Sequence, residues 1–73
     1  MNMVQVYISE TLNANRLRDV KDMMLTIPHV HNVEFNDKLP HDMLVEFDAN
    51  YNVPISIVKK LENEGIHLDI ISA

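Results

Sequence analysis

The sequence predicts an α+β sandwich over residues 1–73, a four-stranded antiparallel sheet with two helices on one face, folded as a single domain. Three observations predict it. The apolar period changes inside the stretch Val20 to Phe35: Leu17, Val20, Met24 and Ile27 recur at three and four residues, as on one face of a helix, whereas Val33 and Phe35 recur at two, as on a half-buried strand. Pro28 stands at the switch, where it cannot continue a helix and restricts Ile27 before it, so the chain turns and returns as a strand. Each half of the chain reads as strand, helix, strand, and 73 residues are too few for two cores.

Taken in order, Val4, Val6 and Ile8 alternate with Gln5, Tyr7 and Ser9, the first strand. Asn13 is placed to cap a helix that runs to about Ile27, with Arg18 and Asp22 four apart on its outer face and Leu25 off its apolar stripe. The second strand is about His31 to Phe35. Asn36 to Asp42 reads as a long hairpin loop, since it is rich in turn formers and Pro40 can donate no ladder hydrogen bond. The third strand is Met43 to Phe47. Asn52 is the expected cap of a second helix with Pro54 in its first turn, Ile57, Val58 and Leu61 as its stripe, and Lys60 and Glu64 as an outer pair. Gly65, the only glycine, stands where a left-handed C-terminal cap is wanted. Ile66, Leu68 and Ile70 then alternate with His67, Asp69 and Ile71 as the last strand. With right-handed crossovers this closes as a ferredoxin-like βαββαβ sheet of strand order 4-1-3-2.

Composition removes several function classes. The absence of cysteine excludes disulfides, thiolate metal sites and thiol nucleophiles, and permits a cytoplasmic address. Neither a signal peptide nor a run of about 18 apolar residues is seen, so a soluble chain is expected. Eleven acidic against six basic residues give a net charge of −5, which repels phosphate backbones and anionic membranes; neither nucleic acid nor membrane is an expected partner. One glycine cannot build a P-loop or a dinucleotide turn. Ser9, Ser56 and Ser72 have no nucleophile motif around them, and the carboxylates are scattered as a solvated surface would have them. No enzyme is expected.

The residues Val20, Met24, Ile27, Pro28, Val30, Val33 and Phe35 together resemble the second half of the heavy-metal-associated domain signature, a helix ending in Pro-Gly-Val that runs into an alternating strand. By the family's spacing the two cysteines of its Met-x-Cys-x-x-Cys motif fall at Asn13 and Arg16, its Met at Thr11, and the glycine of Pro-Gly-Val at His29. The resemblance therefore implies the family's fold and its habit of docking to partner domains, with the metal motif lost.

Other side chains remain as candidates. His29 and His31 have the spacing of same-side neighbours on an extended chain, compatible with two ligands to Zn, Ni or Cu(II), while the topology places His41 and His67 as a second pair at the other end. Neither pair alone completes a tetrahedral site. Met1 and Met3 with His29 and His31 offer a softer set. On the open sheet face, Tyr7, Leu44 and Ile71 come from three adjacent strands among acidic neighbours, as an interface centre with a polar rim would. The leading expectation is a non-enzymatic binding module that uses this face for a protein partner or a second copy. A metal binder using His and Met is the alternative, and a regulatory small-ligand domain of the amino-acid-binding type, whose usual first-loop glycine is not seen, ranks last.

Overall fold

The computed structural model describes residues 2–36 and 38–72. Its elements are β1 (Asn2–Ile8), α1 (Ala14–Leu25), β2 (Val30–Asn36), β3 (Leu39–Phe47), α2 (Val53–Asn63) and β4 (Leu68–Ser72). All strand pairs are antiparallel and the sheet order is β2-β3-β1-β4, the expected order read from the other edge. The ferredoxin-like expectation is met.

One layer of apolar side chains joins sheet and helices. Val4, Val6 and Ile8 of β1, Val33 of β2 and Met43, Val45 and Phe47 of β3 are buried against Leu17, Val20 and Met24 of α1 and Val53, Ile57 and Leu61 of α2. The pairs Val4↔Val45, Val6↔Met43 and Val33↔Val45 are inward-facing on adjacent strands, so the period-two alternation of the sequence fixes the register. Among the described residues no polar or charged group is buried in this core.

Both helices end where local chemistry requires it. Asn13 is the N-cap of α1, its side chain accepting from the Arg16 backbone N–H at 2.8 Å. The helix stops at Leu25 rather than about Ile27, because Thr26 leaves the ladder as C-cap and its hydroxyl donates to the Met23 carbonyl at 2.6 Å. Ile27 still packs into the core from the turn. The end of α2 is a Schellman motif: the Gly65 N–H donates to Glu62 O at 2.9 Å and the Ile66 N–H to Leu61 O at 2.9 Å, with Gly65 at φ 77°. Asn52 occupies the N-cap position of α2, but its side chain makes no capping hydrogen bond.

Several expectations need correction. The third strand begins at Leu39, not Met43, and the hairpin loop is correspondingly short. Pro40 is tolerated because it lies beyond the last β1 partner, Asp42, and opposite the register shift between Phe35 and Asn36, where no ladder bond is demanded of it. Asp37 of the predicted loop lies outside the described residues. The last strand begins at Leu68, and Ile70, expected in the core, is 40% exposed because β4 is an edge strand with β1 on one side and no strand on the other. Val53, not Val58, completes the fully buried stripe of α2. Neither Arg18 and Asp22 nor Lys60 and Glu64 form an ion pair.

Candidate functional site

The loop between β1 and α1 is where the resemblance puts metal ligands. Here the Asn13 amide oxygen is engaged as the helix cap, and Arg16 sets a cation in the first turn, which contains no acidic residue. The loop is also clamped from across the sheet end. The Glu10 carboxylate accepts from the His67 backbone N–H at 2.9 and 3.1 Å and from His67 Nδ1–H at 2.7 Å, while the Ser9 N–H donates to His67 O at 2.9 Å. These bonds, the ring hydrogen bond first, hold the Glu10 carboxyl below its usual pKa. A soft cation finds neither thiolate nor spare carboxylate at Asn13 and Arg16, so these residues do not fit one.

His41 lies on the same side of the molecule, but engages other groups. Its Nδ1–H donates to Ile8 O at 2.6 Å, and its ring stacks on Tyr7 with centroids 5.0 Å apart. His41 and His67 are thus each held by their own partner.

At the opposite end, His29 and His31 do reach toward one group, the Asp48 carboxylate. His31 Nε2–H donates to Oδ1 at 2.7 Å and His29 Nδ1 lies 3.5 Å from Oδ2. The Asp48 N–H donates to His29 O at 3.0 Å, and the His29 ring stacks on Tyr51 at 3.4 Å between centroids and 3° between planes. The hydrogen bond from His31 is the main reason the Asp48 carboxyl sits below its usual pKa. His29 has φ 72°, a left-handed conformation at the position where the family signature has glycine. Among the described residues no three His, Asp or Glu side chains are arranged to hold a metal. Met1 lies outside the described residues, and Met3 is half-exposed on β1 opposite Glu46. Sequence reasoning missed Asp48. The antiparallel β2–β3 hairpin was enough to find it, since pairing Val30 with Phe47 sets residues 29 and 48 side by side.

The open face of the sheet carries Tyr7 between Asp42 of β3 and Asp69 of β4, and Leu44 between Gln5 of β1 and Glu34 of β2. Tyr7 is 38% exposed and Leu44 half-buried, and Gln5 Nε2 donates to Asp42 Oδ2 at 3.3 Å. Ile71 is the extra residue of a bulge between the pairs Val6↔Ile70 and Gln5↔Ser72, and is 55% exposed. The balance of charge differs between the layers, since the helices hold only three acids, Asp19, Asp22 and Glu62, against their basic residues. The strands contain four acids, Glu34, Asp42, Glu46 and Asp69, and no lysine or arginine, whereas the helices carry five of the six basic residues.

The fold defines a class, the small ferredoxin-like α+β domains with two helices on one face of a four-stranded antiparallel sheet. The chain superimposes on a copper-binding domain from HMA7, a P-type ATPase, with TM-score 0.85 and 21% identity over 99% of this chain and 96% of that one. It is similar to oxidised MerP from Ralstonia metallidurans CH34, with TM-score 0.84 and 14% identity over 97% of each chain. It is also similar to the N-terminal domain of PacS from Synechocystis PCC6803, with TM-score 0.82 and 14% identity over 99% of this chain and all of that one. At these identities the likeness is one of fold. No protein-family model matches the chain, and no curated protein matches its sequence. No helix among the described residues is long and apolar enough to cross a membrane.

Proposed function

We propose that residues 1–73 are one non-enzymatic binding module, which keeps the fold of the metal-binding domains, has given up a thiolate site, and works in the cytoplasm by protein contact through the open face of its sheet. The observation that carries this reading is the use of Asn13: the side chain at the first ligand position of the family signature is spent on capping α1. What the fold retains is a surface. Tyr7 and Leu44, set among Asp42, Asp69 and Glu34, offer an apolar centre with an acidic rim, which suits a partner surface bearing lysine or arginine around an apolar contact. Ile71 borders this centre from the edge strand.

The test pairs the wild-type chain with a variant carrying Tyr7→Ser and Leu44→Lys, each immobilised and exposed to lysate at low and high salt. A partner held by the wild type, released by salt and lost by the variant while its circular dichroism is unchanged is the expected result. Equal capture by both chains overturns the reading.

A second reading is metal binding through His29 and His31, with Asp48 as a third donor. It is favoured by the approach of both rings to one carboxylate. It ranks second because that carboxylate lies between the imidazoles and would have to move before the donors could surround an ion of Zn(II), Ni(II) or Cu(II). Isothermal titration with each ion, repeated on His31→Ala, decides it.

A further inference from the structure

We propose that the β4 edge docks a second copy of this chain, β4 against β4 in antiparallel pairing about Ile70, to make one continuous eight-stranded sheet. This contact is separate from the open face and does not depend on it.

The sheet has two free edges, β2 and β4, and they are built differently. The β2 edge is blunted: its pairing with β3 is irregular at both ends, its exposed positions His31 and Glu34 are polar, and Lys21 Nζ lies 5.9 Å from the Phe35 ring centroid. The β4 edge has one bulge, at Ile71, and one charge, Asp69, but its exposed positions are otherwise apolar, with Ile70 and Ile71 at 40% and 55% exposure. Beside it runs a shallow apolar groove, lined by Pro54, Ile55, Val58, Lys59 and Glu62 of α2 together with Ile70. Ile55 is itself 50% exposed. This is a second stripe on α2, at spacing 55, 58, 59, 62, turned from the core toward the edge.

An open strand edge flanked by such a groove accepts a strand that brings its own apolar cover. A second copy does so. Antiparallel pairing of an edge with itself is generated by a twofold axis, so one set of residues serves both sides. With the axis at Ile70, Ile70 meets its own counterpart, Leu68 meets Ser72, and Asp69 meets Ile71 rather than another Asp69. The same axis sets the two α2 helices side by side in opposite directions. Lys59 and Glu62, which flank the groove, then stand across from the opposite charge on the other copy. A five-residue strand and one helix stripe make an interface toward the low end of the roughly 1,200–2,000 Å² of stable complexes, so the dimer forms in a concentration-dependent way.

The 73 residues include no cysteine, so one introduced thiol cross-links only where two copies bring it together. Sedimentation equilibrium over a concentration series should show the mass rising from 8.4 kDa toward twice that value. Ile70→Cys should form a covalent dimer on mild oxidation, and Tyr7→Cys should not. Ile70→Lys and, on the helix, Ile55→Lys should each raise the dissociation constant by about thirtyfold, the effect of losing a central contact, with unchanged circular dichroism. The variant with Tyr7→Ser and Leu44→Lys should dimerise normally, which separates this contact from the open-face reading. A wild-type chain that stays at the monomer mass up to about 1 mM, a range in which even weak complexes associate, overturns the proposal. So does a dimer cross-linked by Tyr7→Cys but not by Ile70→Cys.

Discussion

Replacing His29 by alanine and by glycine separates two opposing effects at one residue. At φ 72° a side chain with a Cβ costs about 1–2 kcal/mol relative to right-handed backbone. The imidazole offsets this cost by stacking on Tyr51 at 3.4 Å, a ring contact worth about 0.5–1.5 kcal/mol. His29→Ala keeps the strained backbone and loses the stack, so it should destabilise the domain by about 1 kcal/mol, or about 4–8 °C in a chain of this size. His29→Gly loses the stack but relieves the strain, against about 0.5–1 kcal/mol of added freedom in the unfolded chain, so it should lie close to the wild type. Urea denaturation followed by circular dichroism, with all three chains fitted to a common slope, gives the numbers. The glycine variant must be the more stable of the two. If alanine is equal to or better than glycine, the conformational cost at position 29 is no larger than the entropy that glycine adds to the unfolded chain. If alanine equals the wild type, the Tyr51 stack contributes nothing.

Three further outcomes are expected. Val33→Asp should unfold the domain, because Val33 is fully buried and an unpaired carboxylate there costs several kcal/mol, whereas Asn32→Asp, on the outward-facing side, should cost no more than about 1 kcal/mol by thermal melting, through the lost bond to Glu34 and repulsion from Glu34 and Glu46. Asn13→Ala should cost about 1 kcal/mol through loss of the α1 cap, and a Cu(I) competition titration should find no chaperone-like uptake by the Thr11 to Arg16 loop before or after the change; tight uptake abolished by Asn13→Ala would refute the structural role. Glu10 and Asp48 have folded-state pKa values below their usual 4.5 and 3.8, so their hydrogen bonds contribute fully above those values and are lost as pH falls through the lower folded values. Melting temperatures measured downward from pH 5 should therefore fall less steeply in Glu10→Gln and Asp48→Asn, and an unaltered acid limb in both would refute the clasps.

What was legible in the sequence is what local rules decide. Asn13 as a cap, Pro28 as the turn and Gly65 as the left-handed cap all follow from backbone chemistry within a few residues, and all three hold in the structure. The buried alternation of β1 was equally plain, because a central strand is covered along its length. The misjudged positions depend on where a strand lies in the sheet. Pro40 reads as a strand breaker until the register shows that no neighbour needs its missing N–H. Ile70 reads as core until the sheet order leaves β4 at an edge, and the bulge falls at Ile71, where two adjacent isoleucines already end the apolar-polar alternation. The histidines were the hardest: their spacing suggested ligands, but Ile8 O, Glu10 and Asp48, which actually engage them, lie at least 17 residues away in the chain.

The layered distribution of charge makes the molecule an electrical dipole directed across its thickness, with the negative pole on the strands. Under physiological salt a charge is felt over about 8 Å, less than the 18 Å of the molecule's shortest dimension. A positively charged body approaching the sheet therefore meets the field of Glu34, Asp42, Glu46 and Asp69 while the helical lysines and arginines on the far side are screened from it. Collisions would be sorted by orientation before any side chains touch, with the torque turning the domain sheet-first. The helices would then stay pointed at solvent, leaving α2 and the edge beside it clear for a second engagement at the same time.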